Sequence, residues 1–175
     1  HIADRDGRRA EAIEQAGARA DTEPTPAQAE AGNYRKGHVD FQGLNVTIEN
    51  PKGSVRRSKD PAHPWEVTMP AHYGYLKRTE GADGEQVDVY MGDVPGSQQV
   101  WIVDQIDPAT KKFDEHKVML GFPTAVEAMR AYRGGFSDGS GPARMGRITH
   151  MPMAQFKDWL KSADTTKPVA YVQQK

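Results

Sequence analysis

Three carboxylates lie close together at the point where a glycine turn enters a strand-like run. Asp83, Glu85 and Asp88 occupy positions i, i+2 and i+5 around Gly84. A strand alternates its faces, but a turn through Gly84 lets the first two carboxylates converge with the third. Converging carboxylates repel one another unless a cation sits between them, and oxygen ligands suit a hard ion such as Mg²⁺. The stretch therefore predicts a metal site or, in the simpler interpretation, an acidic surface turn.

A second acidic group flanks the strand-like run at residues 99–106. Its members are Asp104, Asp107, Asp114 and Glu115, followed by Lys117. Two acidic groups with interleaved cations are what a site needs to hold metal ions and a polyanion together. The role of His116 stays open, because no histidine in the chain has the spacing of a zinc site.

Cations and a tyrosine that could bind phosphate precede both acidic groups. Lys52, Arg56 and Arg57 follow Glu49, and Tyr73 lies in the bend PAHYGY. Arginine offers paired planar donors and lysine offers a point charge, so the basic stretch could clamp a phosphate. A solvated basic loop and an ordinary core tyrosine are the alternatives.

Composition limits the class of protein. The 175 residues suffice for one domain and a short appendage. Lys and Arg total 23 against 24 Asp and Glu, which gives no sign of general nucleic-acid or membrane binding. Without cysteine, a metal would need oxygen or imidazole ligands. The chain has no long apolar run or secretory signal, so we expect a cytoplasmic protein, in the host cytoplasm if it is phage-encoded.

Short strand-like runs must position these residues. The runs cover residues 46–48, 65–69, 86–91 and 99–106, each bounded by turn-forming residues. Two helical stretches follow, one after Thr124 and one containing Phe156. The pattern predicts an α+β protein with a small closed, OB-like β-barrel and flanking helices.

The first 32 residues differ in composition from the rest of the chain. Residues 3–20 can form a helix, but Ile13 is their only large apolar side chain, so the helix has almost no face to bury. Residues 21–32 contain two prolines and small polar residues, the composition of a linker. We predict a helix and linker over 1–32, partly a connector, and a domain over 33–175. Because the chain begins at His1 and not at Met, we also expect a longer parent protein.

The order of four segments resembles the soluble inorganic pyrophosphatases of the metal-dependent barrel type. The segments are Glu49-x-Pro-Lys-Gly-Ser, Pro70-Ala-His-Tyr-Gly-Tyr, Asp83-Gly-Glu-x-x-Asp88 and Asp114-Glu-His-Lys117. That family carries Glu-x-Pro-Lys-Gly, Pro-x-x-Tyr-Gly, Asp-Gly-Asp-Pro-x-Asp and a later Asp-x-Lys in the same order. The resemblance implies a pyrophosphatase-like fold, a Mg²⁺ or Mn²⁺ cofactor and a small phosphorylated substrate. It also indicates a module of the kind found in multidomain phage and mobile-element proteins, where other domains could be partners.

The resemblance implies catalytic and metal-binding roles for the carboxylates. The catalytic residues would be Glu85, Asp83 and Asp88, with Glu85 at the position of an aspartate that helps to activate the attacking water. The metal ligands would be Asp83, Asp88, Asp107, Glu115 and Asp114. Within this set Asp114 is a rival of Glu115, and Asp104 could replace Asp107.

The resemblance also implies a set of substrate-binding residues. Tyr73 and Lys117 match phosphate ligands, and Lys52 belongs to the Pro-Lys-Gly segment. Either Arg56 or Arg57 would stand for the basic residue that follows this segment in the family.

The chain departs from the family pattern in four ways. Glu85 replaces an aspartate and Gln86 replaces a proline. The arginine on the strand before the Tyr-Gly bend has no counterpart, and the family's late Tyr-Lys pair has no clear match, Tyr132 and Arg133 being only a loose one. We expect divalent-metal-dependent hydrolysis of pyrophosphate or a related phosphoanhydride. The alternative is a catalytically inactive module that binds a phosphorylated ligand or a protein partner. An unrelated metal-dependent nuclease is disfavoured by the near-neutral charge.

Overall fold

The computed structural model of the protein describes residues 2–169, which form five helices and nine strands. The helices are α1 (Ile2–Arg19), α2 (Pro26–Ala31), α3 (Ala125–Gly134), α4 (Gly141–Arg144) and α5 (Met153–Ser162). The strands are β1 (Gly37–Phe41), β2 (Leu44–Asn50), β3 (Val55–Arg57), β4 (Glu66–Thr68), β5 (His72–Leu76), β6 (Asp88–Met91), β7 (Gln99–Ile106), β8 (Phe113–Leu120) and β9 (Met145–Pro152). The predicted α+β class is confirmed.

Seven of the strands form one sheet in the order β1-β2-β5-β6-β8-β7-β9. Neighbouring strands are antiparallel except for β6 and β8, which are parallel. Strands β3 and β4 form a separate hairpin. The predicted closed barrel is wrong, because β1 and β9 are the two edges of an open sheet. The sequence indicated short strands with turns, but a barrel closes only if its first and last strands pair, and no local pattern determines that pairing.

The sheet has an apolar core on each face, because successive side chains of a strand point to opposite sides. In β6, Val89 and Met91 belong to one core and Tyr90 to the other. The first core also receives Phe156 of α5, and the second receives Tyr132 of α3. Helix α3 begins at the predicted cap, where the Thr124 side chain accepts a hydrogen bond from the Glu127 backbone N–H.

Helix α1 packs on the first face of the sheet, against β1. The helix buries Ile13 and Ala16 in this contact, and Ala20, which directly follows the helix, is buried as well. The helix backbone comes so close that a Cβ atom on Gly37 of β1 would lie 1.7 Å from the carbonyl oxygen of Ala16. The expectation that this helix has almost no face to bury is wrong, because two alanines allow an approach in which one isoleucine is enough. The domain boundary near residue 32 stays a prediction.

Among residues 2–169, no helix combines the length and the apolar character needed to cross a membrane.

Candidate active site

Strand register brings three of the predicted site residues together on the face of the sheet that carries Tyr90 and Tyr132. Asp88 of β6 is paired with Tyr75 of β5 on one side and with Lys117 of β8 on the other. Tyr73 lies two residues before Tyr75 and therefore on the same face. The edge-to-face contact between the Tyr73 and Tyr90 rings, 4.8 Å between centroids, fixes the orientation of the Tyr73 phenol.

Lys117 is the centre of the cluster. Its Nζ lies 2.6 Å from Asp88 Oδ2, 2.6 Å from Glu115 Oε1 and 2.9 Å from the Tyr73 hydroxyl oxygen. The lysine is almost fully buried. Because the ammonium donates all three of its protons, its position is fixed by three strands at once.

The ionisation of this cluster follows from its burial and charges. Burial alone would lower the pKa of Lys117, but Tyr73, Asp88 and Glu115 raise that pKa well above its usual range. Burial also raises the pKa of Tyr73, against the opposing effect of Lys117. At neutral pH the lysine is therefore charged and the phenol is neutral. Since the phenol oxygen already accepts from Lys117, and no acceptor for its proton occurs among residues 2–169, Tyr73 can donate to an incoming oxyanion.

Arg56 covers the outer side of Tyr73. Its guanidinium carbon lies 4.6 Å from the centroid of the Tyr73 ring and 5.1 Å from that of Trp65. Its neighbour Arg57 has the opposite orientation on β3 and forms an ion pair with Glu66 of β4, with 3.3 Å between Nε and Oε2. The structure thus separates two arginines that the sequence left as equal candidates.

An open cleft of about 590 Å³ lies beside Asp88. Its lining includes Glu49, Glu80, Glu85 and Asp88 together with the cations Lys36 and Lys59. Glu49 accepts a hydrogen bond from Tyr34, with 3.0 Å between the two oxygens. Carboxylates and lysines that face one cleft are the combination expected for a metal-bound polyanion.

Glu85 lines this cleft from an exposed turn that also contains Asp83. Asp83 Oδ1 accepts the backbone N–H of Glu85 at 3.0 Å, and Gly84 between them has a φ of 82°, which favours glycine. The turn runs directly into β6, so Glu85 and Asp88 line the same cleft. The predicted glycine turn before the strand is present, whereas the convergence of Asp83 with Glu85 and Asp88 stays a prediction.

The second acidic group is divided. Glu115 contacts Lys117, whereas Asp114 Oδ2 accepts from the Gln105 side chain at 2.9 Å. Asp107 lies in the exposed turn between β7 and β8 and accepts the backbone N–H groups of Ala109 and Thr110. These two backbone donors, with Thr110 the stronger, lower the pKa of Asp107. Roles of Asp107 and Asp114 as metal ligands stay predictions.

Asp104 and His116 are buried together, with 3.4 Å between Oδ1 and Nε2. They lie on the strand faces opposite to Val103 and Lys117. Trp159 of α5 packs edge-on against the His116 ring, and the backbone N–H of Val169 donates to Asp104. This pair belongs to the packing between the sheet and α5.

Lys52 lies outside the Lys117 cluster. Its exposed Nζ is 3.3 Å from Asp93 Oδ2. Its backbone N–H donates to His72 Nδ1 at 3.0 Å, which ties the Pro-Lys-Gly segment to β5.

A divalent cation fits the donor chemistry of the cluster but is not held by a preformed cage. Within residues 2–169, no group of three or more carboxylate or imidazole ligands is already arranged around one point. Burial raises the pKa of Glu115, Lys117 lowers it, and the charges of Asp88 and Asp83 raise it further. Mutual repulsion of three oxygen-donor groups is what a hard cation relieves.

Sequence reasoning missed Lys36, Tyr34 and Trp65. The first two could have been found from the β1–β2 hairpin, because pairing of Gly37 with Ile48 places Lys36 beside Glu49. Lys36 Nζ indeed lies 4.0 Å from Glu49 Oε2. No local pattern pointed to Trp65, which reaches Arg56 only because β3 and β4 pair.

The fold and this cluster define an α+β protein with a mixed sheet and a buried lysine that two carboxylates and a phenol hold in place. The family model for inorganic pyrophosphatase matches residues 26–161, and the chain therefore belongs to the inorganic pyrophosphatase family.

Two further comparisons add little to that assignment. No curated protein matches the chain. The crystal structure of an inorganic phosphatase from Anaplasma phagocytophilum is 16% identical, over 73% of this chain and 91% of that chain, with a TM-score of 0.38.

Proposed function

We propose that the protein hydrolyses pyrophosphate or a related phosphoanhydride with the help of a divalent metal ion. The observation that carries the proposal is the buried Lys117, held by Asp88, Glu115 and Tyr73 beside an open cleft. This cluster lies inside the segment that matches the pyrophosphatase family.

The Tyr73 hydroxyl and the Arg56 guanidinium bind the substrate phosphate, and the charge of Lys117 stabilises it without a direct hydrogen bond, because all three ammonium protons are already donated. The Tyr73 hydroxyl donates to a phosphate oxygen while Lys117 keeps that hydroxyl oriented. Arg56 stacks on the same ring and can present its N–H edge to the anion, because stacking occupies only its flat face. Fixed donors of this kind stabilise charge that develops on the phosphoryl oxygens.

Asp83, Asp88 and Glu115 would hold Mg²⁺ or Mn²⁺, which supplies Lewis-acid stabilisation of phosphate oxygens and a more acidic water. Glu85 accepts a proton from the attacking water. The water oxygen bonds to one phosphorus, the bridging P–O bond breaks, and its electron pair leaves with the second phosphate. Pyrophosphate and one water thereby give two orthophosphates.

A phosphate-release assay with pyrophosphate, ATP and dinucleoside polyphosphates, each with Mg²⁺ or Mn²⁺, tests the proposal. We expect metal-dependent release from at least one of them by the wild type and its loss in Asp88→Asn. Calorimetry of Mg²⁺ binding to both proteins gives a readout independent of turnover. If no substrate releases phosphate under any of these conditions, the enzymatic proposal is overturned.

A catalytically inactive module that binds a phosphorylated ligand is the second candidate. The observation in its favour is that Asp88 and Glu115 are both already bonded to Lys117, which offsets part of the charge a metal would need. Metal-dependent binding of a phosphorylated ligand without turnover would support it.

A further inference from the structure

A second cleft adjoins the Lys117 cluster on the side of Arg56. It has a volume of about 680 Å³ and lies between the β3–β4 hairpin and the segment that joins α3 to α4. Its lining includes Arg56, Trp65, Phe136 and Arg144. The volume falls within the range of about 300–1,000 Å³ that is usual for small-molecule pockets.

Arg56 connects this cleft with the proposed phosphate site. Its guanidinium lies between the Tyr73 ring, which belongs to the Lys117 cluster, and the Trp65 ring, which belongs to the cleft. Among residues 2–169 it has no hydrogen-bond acceptor and no acidic partner. Its planar donors are therefore free for an anion that lies between the two places.

The opposite wall carries a second aromatic ring with a second arginine. The guanidinium carbon of Arg144 lies 5.4 Å from the centroid of the Phe136 ring. The Arg144 Nε donates to Ser140 Oγ at 2.7 Å, and Asp138 accepts the Ser140 backbone N–H at 2.9 Å. The wall is thus internally bonded and presents a fixed aromatic surface.

Trp65 is the large aromatic side chain that the fold leaves most accessible in this cleft. It is 40% exposed and directly precedes β4. Bare pyrophosphate has no surface that would benefit from Trp65 or Phe136. A flat aromatic group does, because it can stack on an accessible ring such as Trp65.

We propose that this cleft binds the base of a nucleoside polyphosphate whose phosphates extend past Arg56 to Lys117. The inference rests on the proposed phosphate site and names its substrate class. In the corresponding reaction the water oxygen bonds to the terminal phosphorus and the bridging P–O bond breaks. A nucleoside diphosphate then gives orthophosphate and a nucleoside monophosphate, with the water proton passing to Glu85.

Equilibrium binding to the full chain tests the cleft separately from catalysis. Calorimetry with Mg²⁺ compares two probes that cannot be hydrolysed, α,β-methylene ADP and methylenediphosphonate. We expect the wild type to bind the nucleotide analogue more tightly. In Trp65→Ala and Phe136→Ala, the ratio of the two dissociation constants should shift about ten-fold against the nucleotide.

Val126→Ala is the matched control, because Val126 is an exposed apolar residue of α3 outside the cleft. The ratio should stay within two-fold of the wild type in this variant. Circular dichroism melting of all variants separates a lost contact from a lost fold.

Two results would overturn the proposal: a wild type that prefers methylenediphosphonate, or Trp65→Ala and Phe136→Ala variants that leave the ratio unchanged while folded. Failure of the enzymatic proposal has a different signature. In that case no substrate releases phosphate, yet the nucleotide preference and its dependence on Trp65 persist. Turnover of pyrophosphate by a wild type without nucleotide preference would support the enzymatic proposal and overturn the proposal that this cleft binds a base.

Discussion

The buried imidazole of His72 joins the N-terminal helix to the Pro-Lys-Gly segment through Glu14. His72 Nε2 lies 3.1 Å from Glu14 Oε1 of α1, and its Nδ1 accepts the backbone N–H of Lys52. Because His72 precedes Tyr73 on β5, the first helix is bonded to the strand that carries a proposed phosphate ligand. Helix α1 is therefore tied to the sheet by a side-chain contact as well as by its buried apolar residues.

The first prediction concerns the apolar contact of this helix. Ile13→Ala should lower the free energy of unfolding by about 2–4 kcal/mol, because it leaves a cavity between α1 and the sheet. Urea denaturation measures the change. Arg8→Ala on the exposed side of the same helix is the control and should change the free energy by less than about 0.5 kcal/mol. Equal stability of both variants would mean that the packing of α1 on the sheet does not contribute to the free energy of unfolding.

The second prediction uses two glycines. Gly37→Ala places a methyl group 1.7 Å from the Ala16 carbonyl oxygen, so α1 must move away from β1 and the melting temperature should fall by several degrees. Gly7 lies in α1, and Gly7→Ala has free space around its new methyl group. Alanine is favoured over glycine within a helix by about 0.5–1 kcal/mol. The melting temperature of Gly7→Ala should stay the same or rise. Thermal melts of the pair show whether the close approach of α1 exists in solution.

The third prediction compares two neighbouring arginines. Arg56→Ala should raise the KM for pyrophosphate about 10-fold to 100-fold, because a charge-assisted contact contributes about 1.5–3 kcal/mol. Arg57→Ala removes the same charge one position along β3, where the side chain pairs with Glu66, and should change the KM by less than about two-fold. Steady-state phosphate release decides between them, and equal effects would mean that only the general positive charge of the hairpin matters.

The fourth prediction concerns the pH dependence of stability. Burial raises the pKa of Glu115 above its ordinary value of 4.5, so the folded state binds this proton more tightly than the unfolded chain does. The contribution of Glu115 to stability is therefore largest below pH 4.5 and is lost as the pH rises through the raised pKa. Glu115→Gln lacks this contribution. As the pH rises from 4 through the raised pKa, the free energy of unfolding of the wild type should fall relative to that of Glu115→Gln. Urea titrations at fixed ionic strength measure both values.

The fifth prediction concerns Glu85. Glu85→Gln should reduce turnover at least about 100-fold, because an amide cannot accept the proton of the attacking water. Glu85→Asp shortens the side chain by one methylene and distinguishes a weakened pyrophosphatase from an enzyme specialised for another substrate. Higher pyrophosphate turnover in Glu85→Asp would indicate a weakened pyrophosphatase, whereas lower turnover of a nucleotide without a gain on pyrophosphate would indicate specialisation. Full activity of Glu85→Gln would remove Glu85 from the mechanism.

The sequence by itself determined the local features of the site. The turn at Asp83-Gly84-Glu85, a strand within the run at 86–91 and the cap at Thr124 could all be predicted, because each depends on a few adjacent residues. The pyrophosphatase family, too, could be recognised from the order of four short segments.

Tertiary structure alone decided which of these residues meet. Lys117 lies between Asp88 and Tyr73 because β8 pairs in parallel with β6, and no short pattern encodes a pairing of strands so far apart in the chain. The open sheet, the different contacts of Arg56 and Arg57 and the packing of α1 have the same origin. Each depends on strand order and register, or on the close approach of two backbones, which are set by packing over the whole domain.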